Sequence, residues 1–247
     1  MRTKTVSLIF LLLTIFSTLS QSADLERGIY ELNRGEFAAA IEQFRPLVAD
    51  GYAPAQYQMG VVYQKGYGVP KDGMKALELF ELAAQQNDSD AQFELALIYS
   101  EGKLVKQDVK KAFALTHKAA KKGLASAQYN LAVMFANGTG VDQDYFKASR
   151  WYQNAADQNY ALAQYNLALL YSEGKGVEKS PKMSLVWNTI AAWNGSSDAN
   201  KSRVIDERDI ANGKVIEEAI EKANKLYRKI IDQEKIKAQM AKKNDLY

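Results

Sequence analysis

The segment Ala127–Ala156, AQYNLAVMFANGTGVDQDYFKASRWYQNAA, is one copy of a unit that recurs along the chain. Three more copies open with AQYQMGVVYQKGYGV at Ala55, AQFELALIYSEGKLV at Ala91 and AQYNLALLYSEGKGV at Ala163, each 36 residues from the next. A fixed period of this length is typical of stacked repeat proteins, because one such unit cannot bury its apolar face alone. The period therefore predicts a repeat architecture.

Each copy has the pattern of a helix, a loop and a second helix. In the copy at Ala127, apolar residues at helical spacing predict the first helix, with Leu131, Ala132 and Phe135 on one stripe. Glycines adopt the left-handed backbone that closes a helix, and aspartates cap the helix that follows. The residues in these two roles are Gly138, Gly140, Asp142 and Asp144.

The four copies share A-Q-[YF]-x-[LM]-[AG]-x-x-[YF]-x-x-G-x-[GL]-V, followed by x-A-x-x-x-x-x-x-A-A. This pattern resembles the Sel1-like repeats, α/α units related to tetratricopeptide repeats, closely over Ala55–Ala192 and loosely over Asp24–Pro54. The resemblance implies an all-α, right-handed α/α superhelical solenoid with a C-terminal capping helix. It also implies an adaptor that holds partners, exported from a bacterium in many relatives. Two departures are Leu104, in place of a loop glycine, and Met183, in place of a lysine.

Composition shifts divide the chain into four segments. Residues 1–23 combine Arg2 and Lys4 with the apolar run Val6–Leu19 and then small residues, as in a cleaved signal peptide. The alternative is a membrane anchor, but the run is shorter than the ~20 residues that a spanning helix needs. We therefore expect a periplasmic or secreted protein with no stable membrane insertion. Residues 24–54 are predicted to form an N-terminal capping repeat with a short loop, 55–192 the full repeats, and 193–247 capping helices and a basic tail.

The charge balance argues against a nucleic-acid partner. Without Arg2 and Lys4 the chain has 30 basic and 29 acidic residues, a net charge of +1. A nucleic-acid binder would carry a concentrated basic face. Lys214–Lys243 does hold nine basic residues against five acidic ones, which suits either a solvated helix face or a contact with a partner.

Residues that could support catalysis or metal binding are scarce. The chain has no cysteine, which excludes disulfides, thiol nucleophiles and cysteine metal clusters. The single histidine, His117, falls where other copies have Glu81, Gln153 and Thr189, so we expect it to be exposed and solvated. The recurring Gly-x-Gly follows a helix rather than a strand and indicates a structural loop. The sequence predicts no catalytic residue, metal ligand or cofactor.

Three function classes remain after these exclusions. The first is an exported adaptor that binds a protein or peptide, and the sequence does not identify that partner. The second is a component of envelope assembly or of polysaccharide machinery, which the same resemblance also allows. The third is a hydrolase, which would need a nucleophile paired with a base, and the sequence offers no such pair.

The predicted binding surface lies on the first helix of each copy, two residues to either side of the packing leucine. We expect these side chains to point away from the second helix and to line the concave face, where rings supply contact area and amides pair with a peptide backbone. The alternative is that the aromatic residues only pack. This first-helix surface comprises Tyr57, Gln58, Phe93, Glu94, Tyr129, Asn130, Tyr165 and Asn166, with Val61, Leu97, Val133 and Leu169 beside them.

Overall fold

The structure, a computed structural model, describes residues 20–199, 202–203 and 213–244, with side chains as far as residue 241. The signal peptide expected over residues 1–23 lies outside this part of the chain, except that residues 20–23 begin the first helix. All regular secondary structure in the described residues is helical. The all-α prediction is therefore confirmed.

Helices recur at the period of the sequence. The first helices of the four full repeats begin at residues 53, 89, 125 and 161, and the second helices at 73, 109, 145 and 181. The helices are α1 (20–33), α2 (Phe37–Ala49), α3 (Ala53–Lys65), α4 (Gly73–Gln85), α5 (Ser89–Glu101), α6 (Val109–Lys121), α7 (Ala125–Asn137), α8 (Tyr145–Ala156), α9 (Ala161–Glu173), α10 (Pro181–Trp193) and the C-terminal helix (Gly213–Asn244).

The chain divides into two compact units, an N-terminal unit of residues 1–108 and a C-terminal unit of residues 109–247. In the N-terminal unit, α1 and α2 form a helix pair whose loop covers only residues 34–36, whereas the α3–α4 loop covers 66–72. Phe44 and Ala40 of α2 are fully buried against Leu25 and Ile29 of α1. The shorter loop predicted for the opening pair is thus confirmed.

Caps at both helix ends set the loop between the helices of each repeat. The first helices end in a left-handed glycine, as Gly138 does after α7. Asp144, rather than Asp142, is the N-cap of α8, and its carboxylate accepts a hydrogen bond from the Lys147 amide at 2.9 Å. The N-cap residue also donates its own amide back to the first helix, at 2.8–3.0 Å. These bonds run from residues 72, 108, 144 and 180 to the carbonyls of Tyr63, Tyr99, Phe135 and Tyr171.

Leu104 changes the conformation of its loop. Among the described residues other than glycine, only Asn87 and Asn159 have positive φ, so Leu104 does not repeat the left-handed glycine geometry. Its side chain instead reaches α4, where a β-carbon placed on Gly73 would lie 3.1 Å from Leu104 Cδ1. In the preceding repeat, Gly68 lies against Phe37 at the same contact. At the Leu104 contact the large residue, Leu104, is in the loop and the glycine, Gly73, is on the helix.

Alanine and glutamine at the start of each repeat are buried between neighbouring helices. Ala127 and Ala163 have no exposed surface, and Ala199 continues the series 36 residues later. The glutamine that follows each alanine is also buried, at 0–7% exposure. These glutamines are Gln56, Gln92, Gln128 and Gln164.

The buried glutamines connect one repeat to the next by hydrogen bonds. In the C-terminal unit, Gln164 Nε2 donates to the carbonyl of Ala156 in the preceding repeat at 3.1 Å. Its Oε1 accepts from Asn194 Nδ2 at 2.8 Å. Gln128 makes the same pair of bonds, with Ala120 and Gln158. The carbonyls of Ala156 and Ala120 already accept the amides of Asn159 and Gly123 at 3.0 Å, so the glutamine adds a second bond and ties this helix end to the next repeat.

The C-terminal helix packs on α10, the position predicted for a cap. Its most buried residues, Ala219, Ala223 and Ile230, are at most 2% exposed, and Tyr227 packs on Trp193 with ring centroids 5.4 Å apart. Residues 184–191 of α10 are buried on every side of that helix. Met183 of α10 replaces the lysine of the other repeats because it contacts the C-terminal helix. The Sδ atom of Met183 accepts a hydrogen bond from Lys222 of that helix at 3.1 Å.

The substitution Gln164→Leu tests the connection between repeats. We expect it to lower the free energy of unfolding by about 1–3 kcal/mol, because the Asn194 amide loses one of its two acceptors and the bond to Ala156 is lost inside the stack. Urea denaturation measures the change. Gln143→Leu is the matched control: Gln143 also donates to a backbone carbonyl, that of Ala136, but is exposed. Water can replace that bond, so the control should change stability by less than about 0.5 kcal/mol. Equal effects of the two substitutions would contradict the assignment.

Truncation of the chain tests the cap. Stopping the chain at Asn212 removes Ala219, Ala223 and Ile230 from their contacts and uncovers α10, so we expect aggregation. Stopping it after Glu234 removes residues 235–241, all of which are exposed, and the few residues that follow them. This shorter protein should stay soluble with its melting midpoint unchanged. Size-exclusion chromatography and thermal melting of both proteins check this. A soluble, monomeric Asn212 truncation with an unchanged midpoint would show that the helix is not a cap.

Candidate functional site

The first-helix surface of the N-terminal unit borders two clefts on either side of α3. One, of about 460 Å³, lies between α1 and α3, and Gln58 is among its lining residues. The other, of about 470 Å³, lies between α3 and α5 and is lined by Glu94 and Leu97. Tyr57 and Val61 line both clefts. The structure therefore brings together five residues that the sequence placed on one surface.

Tyr57 is half-buried beside three carboxylates. Its ring lies 5.9 Å from the ring of Phe80, a fully buried residue of α4. Burial, and then the charges of Asp90, Glu94 and Asp88, raise the pKa of its phenol to about 12, since both effects disfavour the phenolate. Tyr57 therefore remains a neutral hydroxyl in an acidic environment, able to donate a hydrogen bond and to offer one face of its ring.

In the C-terminal unit, Tyr129 occupies the equivalent position on α7. Its ring lies 5.8 Å from Tyr152 of α8 and 5.1 Å from Tyr160 before α9. Burial and the neighbouring Tyr160 raise the pKa of Tyr129, while a hydrogen bond from Asn166 lowers it. A ring and an amide from successive first helices are therefore in contact in this unit.

The predicted orientation of these rings is wrong for Tyr57 and Tyr129. Both were expected to point away from the second helix of their repeat, yet each ring contacts a buried residue of that helix. The contact forms because a tyrosine is long enough to reach across the small residues of the first helix. Phe93 and Tyr165 are half-buried. The rings thus contribute to packing, and their role in binding stays a prediction.

The amides of the surface are held by their own helices. Asn130 Nδ2 donates to the carbonyl of Ser126 at 2.9 Å, and Asn166 Nδ2 to that of Leu162 at 2.8 Å. Each such bond uses one amide hydrogen of a group that has two donors and an acceptor oxygen. Gln64 Nε2 of α3 donates to Glu94 of α5 at 3.1 Å. These polar groups are therefore oriented before any ligand binds.

His117 is half-buried rather than exposed, which corrects the sequence prediction. Its imidazole stacks on Phe113 at 6.0 Å and meets Trp151 edge-on at 6.2 Å. Burial, and then the charge of Lys121, lower its pKa. The period hid this environment because the position of Phe113 carries leucine or serine in the other repeats, Leu77, Ser149 and Leu185.

The described residues contain no group of histidine, aspartate and glutamate side chains that could hold a metal ion. No helix among them is long and apolar enough to span a membrane. The sequence reading missed the buried glutamines, although their recurrence beside each alanine was a usable signal. It also missed the three carboxylates around Tyr57, which come together only in the folded chain.

Four consecutive segments of the chain, residues 53–88, 89–124, 125–160 and 161–195, match the Sel1 repeat. The structure of a Sel1 repeat protein from Oxalobacter formigenes is similar, with a TM-score of 0.71 and 26% sequence identity. The aligned region covers 83% of this chain and 87% of that one. A protective antigen of uropathogenic Escherichia coli with an SLR fold is 27% identical, with a TM-score of 0.62 over 91% of this chain and 56% of that one.

A curated relative is the chitin synthase regulator SKT5 of Malassezia restricta. The two sequences are 36% identical over 63 residues, which make up 25% of this chain. The match covers only 4% of the regulator.

The environment of His117 makes a prediction that is easily measured, because the chain has no other histidine. We expect its pKa in the folded protein to lie below the ordinary value of about 6.5. The unfolded chain then binds the proton more readily, so the free energy of unfolding should fall as the pH drops below about 6.5. NMR titration of the imidazole measures the pKa.

Lys121→Gln should move this pKa upward but not restore the ordinary value, because burial is the larger cause. Lys110→Gln removes an exposed charge from the same helix, two turns away, and should leave the pKa unchanged. An imidazole that titrates at or above the ordinary value in the parent protein would contradict the assigned packing.

Proposed function

The chain belongs to the Sel1 repeat family, and from that premise we propose that it is an exported scaffold protein that binds a protein or peptide along its first-helix surface. The observation that carries the proposal is the pair of clefts beside α3, which share Tyr57 and Val61. Concave sites with an apolar floor and a few oriented polar groups are the common form of binding site.

The floor and the rim of these clefts have different chemistry. Val61, Leu97 and Ile98 supply apolar surface between α3 and α5, and Gln64 and Glu94 stand at the same cleft, joined by a hydrogen bond. A peptide side chain can be buried on the floor while its backbone pairs with the rim. Because the polar groups are already held in place, binding costs less ordering of side chains.

In the C-terminal unit, two asparagine side chains support the same proposal. Asn130 and Asn166 are half-buried on α7 and α9, and each is oriented by a bond to its own helix. Asn130 still has an acceptor oxygen and a second amide hydrogen, the two groups that a peptide backbone requires. Asn166 also bonds to Tyr129 and offers its acceptor oxygen. Core packing needs neither group.

Export is part of the proposal and is supported by the basic start and short apolar run of residues 1–23. The proposal assigns binding rather than catalysis, since the single histidine is engaged with aromatic rings. Fractionation of cells that produce the full chain tests the location. An uncleaved chain in the inner membrane would contradict export.

A second candidate is a component of polysaccharide machinery in the envelope. The similarity to a chitin synthase regulator over 63 residues favours it. The identity of the captured partner separates the two candidates: an enzyme of polysaccharide synthesis would favour the second, and loss of the protein should then alter the amount of envelope polysaccharide.

The test of the binding surface uses the double substitution Asn130→Ala with Asn166→Ala. A partner is first captured from envelope extract with the purified chain as bait, identified and produced separately. We expect the double variant to bind this purified partner several-fold more weakly. Its helicity and melting midpoint should change little, because alanine is a better helix former than asparagine.

Asn154→Ala is the matched control, since Asn154 is exposed on α8, a second helix. It should leave the affinity unchanged. If the double variant binds as tightly as the parent, the first-helix surface of the C-terminal unit is not the binding site.

A further inference from the structure

The last turns of the C-terminal helix extend beyond its contacts with the rest of its unit. Ile230 is 2% exposed, and Glu234 still accepts a hydrogen bond from Asn159 at 3.4 Å. Every residue described after that point, 235–241, is exposed although the helix continues to Asn244. We call residues 235–244 the C-terminal arm.

The arm is basic and has an apolar face. Ile236 and Met240 are 52% and 64% exposed, and residues four apart lie on the same side of a helix. The sequence of the arm contains four lysines and no acidic residue. Two large apolar side chains exposed together on a helix, with cations around them, are typical of a segment that docks into an acidic groove.

The α3–α5 cleft of the N-terminal unit has the complementary chemistry. Its lining combines the apolar Val61, Leu97 and Ile98 with Glu94 and Glu101. Lys65 also lines the cleft, and Lys103 pairs with Glu101 at 3.3 Å across exposed side chains. Asp90 and Asp88 act on Tyr57 at the same cleft. A volume of about 470 Å³ lies in the usual range for sites that bury small apolar groups.

The complementarity extends to the two units as wholes. Residues 1–108 carry 14 acidic and 10 basic side chains, a net charge of −4. Residues 109–247 carry 15 acidic and 22 basic side chains, a net charge of +7. Opposite charges of this size steer the C-terminal unit of one molecule towards the N-terminal unit of another.

We propose that the C-terminal arm of one molecule docks into the α3–α5 cleft of a second copy of the chain, with Ile236 and Met240 on the apolar floor and the arm lysines at Glu94 and Glu101. The inference rests on the proposed function, because it assigns an occupant to part of the same first-helix surface. The contact joins different surfaces of the two copies, so it is heterologous and leads to rings or open chains of molecules.

The first experiment measures the docking directly. A labelled peptide of residues 232–244 is titrated with full chain that carries Ile236→Ser and Met240→Ser, so that the protein's own arm does not compete. Fluorescence anisotropy at low salt should show saturable binding that weakens as salt is added. A peptide with the same two serine substitutions keeps every charge, and we expect it to bind at least about tenfold more weakly.

Charge reversal in the protein locates the site. Glu94→Lys with Glu101→Lys should weaken binding of the parent peptide at least about tenfold. Glu78→Lys, an exposed acidic residue on α4, is the matched control and should weaken it by less than about threefold. Equal effects from the cleft and control reversals, or equal binding of the serine peptide, would overturn the proposal.

The second experiment asks whether the arm binds a second copy. Sedimentation of the unmodified full chain should show a mean mass that rises with concentration, and the Ile236→Ser, Met240→Ser chain should remain a monomer. A parent chain that remains monomeric well above the dissociation constant of the peptide would place the arm on its own molecule and overturn the proposal.

The result is separable from the proposed function. The serine-substituted chain keeps the whole first-helix surface, so its capture of the identified partner reports on that surface alone. If this chain captures the partner but no chain binds the peptide, only the arm inference fails. If it captures nothing and Asn130→Ala with Asn166→Ala has no effect in the parent, the proposed function fails as well.

Discussion

In the C-terminal unit, the stack depends on a buried glutamine that bonds to both neighbouring repeats. Stacking helices through alanines brings backbones close together, and the carbonyls at the end of each second helix are then buried between repeats. The amide of Gln164 reaches the carbonyl of Ala156, and its oxygen accepts the amide of Asn194. One side chain thus bonds to both neighbouring helix ends. Alanine allows the close approach. Glutamine adds a second bond to a helix-end carbonyl that already accepts the amide of Asn159, and so ties that helix end to the next repeat.

The ends of the stack show how the unit is modified where a neighbour is missing. Inner repeats place a lysine over the ring at the end of the first helix. Lys147, for example, lies 5.4 Å from the centre of the Phe135 ring and also pairs with the N-cap residue Asp144. The last repeat has Ser180 and Met183 at these positions, and the C-terminal helix supplies the charges instead: Glu218 pairs with Lys182, and Lys222 meets Met183. The departure at Met183 is therefore part of the cap.

The half-buried rings connect stability with function. Tyr57 and Tyr129 each contact the core of their repeat and also form part of the first-helix surface. Removing either ring would change packing and surface together, so loss of binding in such a variant could not be assigned to one cause. The amides separate the two roles, because they bond to their own helices and fill no space in the core.

Much of this protein follows from the sequence alone. Period, helix pattern, left-handed glycines and aspartate caps depend on neighbours within a few residues, and the structure confirms them, with Asp144 rather than Asp142 as the cap of α8. The residues of the first-helix surface could also be named, since helical spacing places them on one side of the helix. Tertiary structure decided what each side chain meets: the rings of Tyr57 and Tyr129 on the second helix, His117 between Phe113 and Trp151, and three carboxylates around Tyr57. Helical periodicity fixes the direction of a side chain relative to its own axis. It cannot fix the distance and crossing angle to the next helix, and these decide whether a ring lies in solvent or against a neighbour.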